Sequence, residues 1–307
     1  MQQLEIYLDL THYVGTTKRE NKMDIAFNIT RKCNKGCDYC YLSLTGEELS
    51  LERIKEIVES VNAETVTLTG GEPLIHPNII ELLSFLSQRG NHIHLLSNGI
   101  LLNDDYLPTI SEANAELFVT YNEPNKKISR NLHQANQRSI DVNLHHVLTE
   151  KSVNSLDDIC QDIDFAKSLL LLYPTDLGEA KVKMYDPNNW FYLLDRAIST
   201  TKTYGIKTYF EQAFAKKGSE LAKQQPCPTG KDLFIDVNGM SYPCCLLVDK
   251  IQGSGALVPI RMTPERCNFI RDNPLSDTSK YIRICPIVIT DRYDGPFQFP
   301  SHLGDKK

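Results

Sequence analysis

The chain has 307 residues and a net charge of −6, with 41% hydrophobic and 23% charged residues. This length suits one large domain or a large and a small one, and the composition is that of a soluble globular protein. The acidic balance disfavours nucleic acid as a partner, because the chain lacks a general positive field. No apolar run approaches the roughly 20 residues of a membrane helix, and no basic segment precedes an apolar core at the N-terminus. We therefore expect a cytoplasmic protein with no membrane partner.

The first part of the chain alternates between strand and helix patterns. Apolar or β-branched runs that end near Gly, Asn or Pro predict seven strands. These are Asp24–Thr30, Thr65–Thr69, His92–Leu96, Glu116–Tyr121, Val142–Leu148, Leu169–Tyr173 and Lys207–Phe210. Between them, apolar residues at i, i+3, i+4 and i+7 predict amphipathic helices. The repeated units predict an α/β fold with a parallel sheet, either open and doubly wound or a partial barrel, with the chemistry at the carboxyl ends of the strands.

The pattern changes after about residue 213, where Cys, Pro and Gly become frequent. In this region Asn238–Gly239 predicts a hairpin turn between Leu233–Val237 and Met240–Tyr242. We therefore predict three segments: an N-terminal lead-in at residues 1–23, a barrel at residues 24–213 and a small Cys-rich C-terminal region at residues 214–307.

The nine cysteines point to metal binding rather than to disulfides, because their number is odd and no signal peptide precedes them. Cys33, Cys37 and Cys40 directly follow the first predicted strand. A 4Fe–4S cluster normally takes four cysteines, so three would leave one iron open to a ligand. Zinc would need a second paired motif, and none lies nearby. Cys160 falls on an apolar helical face and is predicted to be a core residue.

The spacing Cys-x3-Cys-x2-Cys, with Tyr39 before the last cysteine, resembles the signature of the radical S-adenosylmethionine (SAM) superfamily. The segment TLTGGEPL then places Gly70, Gly71, Glu72 and Pro73 at the end of the second strand, where that family carries its GGE motif. The resemblance implies a partial (β/α)6 TIM-like barrel rather than a doubly wound sheet. It also implies that the GGE segment receives the amino group of SAM. Two glycines would let the backbone approach the ligand, and the carboxylate would accept from an ammonium.

Two further strand ends are weaker marks of the same resemblance. Ser97 and Asn98 end the third strand in a turn similar to the TNG turn of the family. Thr120 and Asn122 end the fourth strand, where related enzymes contact the ribose of SAM, although the sequence VTYNEP departs from their pattern. Ordinary turn chemistry at strand ends accounts equally well for both pairs.

The resemblance also implies a mechanism. SAM would bind the open iron through its amino and carboxylate groups. An electron from an external donor such as flavodoxin or ferredoxin would then cleave SAM reductively. The resulting 5′-deoxyadenosyl radical would abstract a hydrogen atom from the substrate. The protein would orient the reactants and exclude water.

A second group of cysteines resembles the SPASM/twitch extensions of radical SAM enzymes, because Gly239 and Cys244 have their Gly-x4-Cys spacing. The resemblance implies one auxiliary 4Fe–4S cluster in addition to the cluster that binds SAM. The expected ligands are Cys227, Cys244, Cys267 and Cys285. Cys245 is left as a spare thiol, since adjacent side chains diverge. Zinc at this site, or ordinary buried cysteines at 267 and 285, remain alternatives.

A ribosomally made peptide is the favoured substrate class, because many SPASM/twitch relatives act on peptides. Cys245 then suggests Cα epimerisation, in which its thiol returns a hydrogen atom to the opposite face of a Cα radical, although a bystander role remains open. The alternatives are thioether or carbon–carbon crosslinking of a peptide, and dehydrogenation of a small molecule such as an amino sugar. An iron–sulfur electron carrier or redox sensor is the non-enzymatic alternative, which leaves the GGEP segment unexplained.

Overall fold

The computed structural model describes residues 23–174, 179–182, 187–210, 233–242, 244–245 and 248. Within these residues the strands form one sheet in the order β7-β6-β5-β4-β3-β2-β1-β8-β9. The strands are β1 Met23–Thr30, β2 Ala63–Gly70, β3 His92–Ser97, β4 Glu116–Thr120, β5 Val142–Val147, β6 Ser168–Leu172, β7 Lys207–Phe210, β8 Leu233–Ile235 and β9 Ser241–Tyr242. Every pairing is parallel except that of β8 with β9.

One helix follows each of the first six strands, so the chain runs through six strand–helix units before β7. The helices are α1 Leu51–Ser60, α2 Ile79–Gln88, α3 Leu107–Glu112, α4 Lys126–Gln137, α5 Leu156–Asp162 and α6 Pro187–Thr203, with short 3-10 turns at Pro73–Ile75 and Ser152–Ser155. All seven predicted barrel strands are confirmed to within two residues at each end. The predicted α/β fold, a partial (β/α)6 barrel, is confirmed as well.

The main core lies between the sheet and the helices. On β1, Ile25, Phe27 and Ile29 are each at most 1% exposed, and they belong to the same buried cluster as Ile54 and Ile57 of α1. Successive side chains of a strand point to opposite faces, so every second residue of each strand meets the helices. Cys160 on α5 is fully buried in this cluster, which confirms its prediction as a core residue.

The opposite face of the sheet lines the lumen of the partial barrel. There the ring of Phe118 on β4 lies 4.9 Å from the ring of His94 on β3 and 5.6 Å from that of His145 on β5. By the same alternation of side chains along a strand, Asn28 of β1 and Asn143 of β5 also belong to this face, and both are at most 5% exposed. The lumen therefore combines aromatic and polar side chains, whereas the helix side is almost wholly apolar.

The predicted hairpin in the Cys-rich region is confirmed. β8 and β9 pair in antiparallel fashion, and Gly239 in the turn has a φ of +71°, a conformation that favours glycine. β8 also pairs in parallel with β1, with Leu233 opposite Ile25. The sheet therefore continues past residue 213, and the division of the chain at that residue stays a prediction. None of the described helices is long and apolar enough to cross a membrane.

Candidate active site

The segment from Cys33 to Cys40, here called the cysteine loop, follows β1 at the carboxyl edge of the sheet. The thiols of Cys33, Cys37 and Cys40 are all free and half-buried. Burial raises the pKa of Cys33 most, a backbone hydrogen bond opposes that rise, and the nearby charges of Glu72, Cys37 and Cys40 raise it further. Burial likewise raises the pKa of Cys40. Three half-buried sulfurs would repel one another as thiolates, and a positively charged metal group would relieve that repulsion, because it deprotonates coordinating thiols. Among the described residues, no group of three His, Cys, Asp or Glu side chains is arranged to hold a single metal ion.

Gly70 and Gly71 bring the end of β2 against the start of the cysteine loop. The N–H of Gly71 donates to the carbonyl of Thr30 at 2.7 Å, and the N–H of Glu72 donates to the carbonyl of Lys32 at 2.8 Å. A Cβ on Gly70 would lie 2.2 Å from the Thr30 oxygen, and one on Gly71 would lie 2.1 Å from the Lys32 oxygen. These glycines are therefore required for backbone-to-backbone approach, a reason that the sequence alone did not supply.

Glu72 is fully buried between the ends of β2 and β3. Its Oε1 accepts from the Ser97 hydroxyl at 2.8 Å and from the N–H of Leu74 at 3.3 Å. Its Oε2 accepts from the N–H of Asn98 at 2.8 Å. Burial raises the pKa of this carboxyl, and the three hydrogen bonds partly offset that rise. Three of the roughly four acceptor positions of the carboxylate are thus occupied by the protein itself. Pro73, also buried, begins the 3-10 turn that Glu72 caps.

Ser97 and Asn98 lie where the sequence placed them, at the end of β3. The Ser97 hydroxyl also accepts from the N–H of Gly99 at 3.0 Å, which closes the predicted turn. The amide nitrogen of Asn98 donates to Oδ1 of Asn34 at 2.7 Å and lies 3.9 Å from the sulfur of Cys33. The third strand therefore contacts the cysteine loop directly, through a pair of residues 64 positions apart.

Thr120 and Asn122 end β4 at the same edge. Thr120 pairs with His145 of β5, and the Asn122 side chain accepts from the N–H of Val147 at 2.9 Å. Asn122 is 8% exposed, so its amide fastens β4 to β5. Contact of either residue with the ribose of SAM stays a prediction.

The adjacent residues Cys244 and Cys245 pack in different places. Cys244 packs against the main core, whereas Cys245 packs against the small cluster of Phe234, Tyr242 and Val248. The Tyr41 hydroxyl, one residue beyond the cysteine loop, lies near the Cys245 side chain. Burial, together with this proximity, raises the pKa of Tyr41 well above its usual value. The other predicted ligands of an auxiliary cluster, Cys227, Cys267 and Cys285, lie outside the described residues.

Sequence reasoning missed a buried ionic contact between β1 and β8. Asp236 accepts from the Arg31 guanidinium at 2.7 Å and from the Asn28 amide at 2.8 Å. All three residues are at most 5% exposed. The contact fastens the hairpin of the Cys-rich region to the residues that lead into the cysteine loop. A signal was present in the sequence, since a charged residue in a short apolar strand usually has a buried partner.

Two histidines of β5 are held neutral. Burial lowers the pKa of His145, on the lumen face, to about 4. It also lowers the pKa of His146 to about 4, partly offset by hydrogen bonds from the ring to the backbone, among them Nδ1 to the Tyr121 carbonyl at 2.9 Å. The side chain of His145 therefore brings no charge to the lumen face at neutral pH.

Comparison with known proteins agrees with this geometry. Residues 27–160 match the sequence model of the radical SAM superfamily. AlbA of Bacillus subtilis strain 168, an antilisterial bacteriocin subtilosin biosynthesis protein, is 27% identical over 111 residues, which cover 34% of this chain and 25% of AlbA. GTP 3′,8-cyclase of Staphylococcus carnosus is 27% identical over 167 residues, which cover 48% of this chain and 42% of the cyclase. The chain thus matches less than half of the length of either relative.

Solved structures show the same fold. SuiB of Streptococcus suis bound to S-adenosylmethionine superimposes with a TM-score of 0.61 at 15% identity, over 75% of this chain and 62% of SuiB. SuiB bound to the precursor peptide SuiA gives the same TM-score at 13% identity, over 89% of this chain and 71% of SuiB. The segment from residue 27 to residue 160, which holds the cysteine loop and the GGE motif, is thus similar to the radical SAM superfamily.

Proposed function

We propose that this chain is a radical SAM enzyme that modifies a ribosomally made peptide, with Cα epimerisation as its reaction. The observation that carries the proposal is the junction of the cysteine loop with the GGE segment. Gly71 and Glu72 each donate a backbone hydrogen bond to the residues that lead into Cys33, at 2.7 and 2.8 Å. Two motifs of the same family, separated in the sequence, thus meet at one edge of the sheet.

In this proposal Cys33, Cys37 and Cys40 hold a 4Fe–4S cluster that supplies the electron for reductive cleavage of SAM. The GGE segment positions the amino group of SAM beside the cysteine loop. Glu72 is fully buried, and its carboxylate, fixed by three hydrogen bonds, would hold the shape of the segment that meets that ammonium. Fixed donors and acceptors orient a ligand without reorganisation during the reaction.

Cys245 is the proposed hydrogen-atom donor. Its thiol lies near the hydroxyl of Tyr41, the residue after Cys40, and so lies close to the cysteine loop. Once the 5′-deoxyadenosyl group released from SAM has taken a hydrogen atom from a peptide Cα, giving 5′-deoxyadenosine, the S–H bond of Cys245 would break and a new Cα–H bond would form on the opposite face. The thiyl radical left on Cys245 would then take an electron and a proton, the electron coming from the external one-electron donor. An auxiliary cluster held by Cys227, Cys244, Cys267 and Cys285 is part of this proposal.

A peptide substrate is supported by two relatives. AlbA takes its name from the biosynthesis of a bacteriocin, and SuiB has been captured with a precursor peptide. The neutral, partly aromatic lumen wall around His145 and Phe118 suits an organic substrate of low charge.

The first test is anaerobic incubation of the full chain with SAM and dithionite. We expect release of 5′-deoxyadenosine, and its loss when Cys33, Cys37 and Cys40 are all changed to Ala. Cys160→Ala, which removes a thiol of the core, is the matched control and should retain release. An iron–sulfur electron carrier would release none.

The second test follows deuterium in D2O, using short peptides encoded beside the gene for this chain. Epimerisation should place one deuterium at a peptide Cα without removing a pair of hydrogen atoms. Cys245→Ala should still cleave SAM but incorporate no deuterium. If Cys245→Ala turned the peptide over like the parent, the thiol-donor role would be wrong.

The match to GTP 3′,8-cyclase favours a second candidate, a small-molecule substrate. Dehydrogenation of an amino sugar, like crosslinking of a peptide, would remove a pair of hydrogen atoms and leave no deuterium at Cα. The same mass measurement therefore separates these reactions from epimerisation.

A further inference from the structure

The side chain of Asn98 joins the GGE segment to the cysteine loop. Its backbone N–H donates to Glu72 at 2.8 Å, and its side-chain oxygen accepts from the N–H of Ile100 at 3.0 Å. Its amide nitrogen donates to Oδ1 of Asn34 at 2.7 Å and lies 3.9 Å from the sulfur of Cys33, within reach of a hydrogen bond to sulfur. Asn98 is 9% exposed. Both polar ends of this amide are engaged with the protein, and its donor end is directed at the cysteine loop.

An amide donor in this position has two physical effects. It restrains the first cysteine, because the loop can move only if the bond to Asn34 breaks. An N–H directed at a ligand sulfur also stabilises the more negatively charged, reduced form of an iron–sulfur cluster, so its loss lowers the reduction potential. We propose that Asn98 is a positioning residue, which fixes Cys33 and raises the reduction potential of the cluster, rather than a contact of SAM. This inference depends on the proposed function only for the presence of a cluster on the cysteine loop.

The contact between Asn98 and Asn34 is asymmetric, which provides a sharp test. Asn34 accepts and Asn98 donates. Asn34→Asp keeps an acceptor oxygen at this contact. Asn98→Asp removes the donor and sets two acceptors against each other beside the Cys33 sulfur. Both variants add one negative charge at the same contact, so charge alone would move their properties alike.

Asn131 on α4 offers a matched control. It is 3% exposed, and its amide donates to the carbonyl of Gly99 at 2.9 Å and reaches that of Ile100 at 3.4 Å. It therefore supports the same turn as Asn98, but its side-chain hydrogen bonds go to the turn and not to the cysteine loop. Asn131→Ala measures the cost of loosening that turn alone.

The experiment uses the full chain, reconstituted anaerobically with iron and sulfide. Two quantities are measured, the rate at which EDTA removes iron and the midpoint potential from an EPR-monitored redox titration. We expect Asn98→Ala and Asn98→Asp to lose iron about 10-fold faster than the parent and to titrate at a lower potential. Asn131→Ala should stay close to the parent in both measurements. Asn34→Asp should keep the parent's rate of iron loss, and its added charge should lower the potential less than Asn98→Asp does, because the donor at Asn98 is kept. If Asn98→Ala fails to fold, Asn34→Ala removes the same hydrogen bond from its exposed end and should also release iron faster.

The outcomes separate the two proposals. A parent chain that binds no cluster overturns the proposed function, and this inference with it. A parent that binds a cluster, with Asn98→Ala matching Asn131→Ala in both measurements, overturns the role of Asn98 alone. Equal shifts for Asn34→Asp and Asn98→Asp would also overturn it, because charge rather than the donor would then be responsible.

Discussion

The two halves of the carboxyl edge are built differently. At the ends of β1, β2, β3 and β8, backbone groups approach within hydrogen-bond distance, and Glu72 and Asp236 are buried carboxylates that each accept several hydrogen bonds. At the ends of β4 and β5, hydrogen bonds of Asn122 and of the neutral His146 make the connections, and no buried charge is found among the described residues of these two strands. We interpret the first half as a rigid holder for the cysteine loop. In the proposed function, the second half is the wall that would meet the substrate.

The largest effect should come from Asp236→Asn, which leaves the Arg31 guanidinium buried beside a neutral partner. Breaking a buried ion pair from one side costs about 3–5 kcal/mol. We expect urea denaturation to show a loss of that size, with faster loss of iron from the cysteine loop. Glu56→Gln, which breaks an exposed pair with Arg53, should cost less than about 1 kcal/mol. Equal costs for both variants would contradict a rigid holder.

The next effect in size should be that of Gly71→Ala. Its Cβ would lie 2.1 Å from the Lys32 carbonyl oxygen, so backbone must shift at the start of the cysteine loop. We expect a loss near the upper end of the roughly 1–3 kcal/mol that overpacking costs, together with slower release of 5′-deoxyadenosine. Gly36→Ala, where a Cβ meets nothing within 4 Å, is the control within the same loop. A tolerated Gly71→Ala would mean that the two segments are not tightly joined.

The third effect in size should be that of Glu72→Gln. All the groups bonded to this carboxylate are donors, so an amide would set its own N–H against one of them. An unsatisfied buried donor costs about 1–3 kcal/mol in the free energy of unfolding. Glu81→Gln, on the exposed face of α2 beside Lys55, is the control for loss of a surface carboxylate. Equal losses in the free energy of unfolding for Glu72→Gln and Glu81→Gln would argue that the Glu72 carboxylate does not hold β2 and β3 together.

At neutral pH the smallest effect concerns the other half of the edge, because it develops only as the pH falls below about 6.5. In the folded chain His145 and His146 stay neutral down to a pKa of about 4, whereas in the unfolded chain they gain protons near the ordinary pKa of 6.5. The unfolded state therefore binds more protons in this window, and stability falls as pH falls from 6.5 to about 4. Each histidine contributes at most about 1.4 kcal/mol per pH unit. His145→Leu should remove one of these two contributions from urea denaturation curves, and His146→Leu the other. If the free energy of unfolding depended on pH in both variants as it does in the parent, burial would not be holding these two histidines neutral.

The amino-acid sequence by itself determined the strands, the parallel direction of the sheet, the cysteine loop, the GGE segment and the hairpin at Asn238–Gly239. Periodicity, turn residues and cysteine spacing are local properties, and each can be recognised within a short window of sequence. Only the tertiary structure decided what these parts contact. Gly70 and Gly71 proved necessary for the approach of a neighbouring strand, and Glu72 accepts hydrogen bonds from β3. Asp236 pairs with Arg31 across 205 positions, and Asn98 meets Asn34 across 64. Such pairs depend on which strand ends become neighbours when the sheet forms, and no local pattern in the chain encodes that.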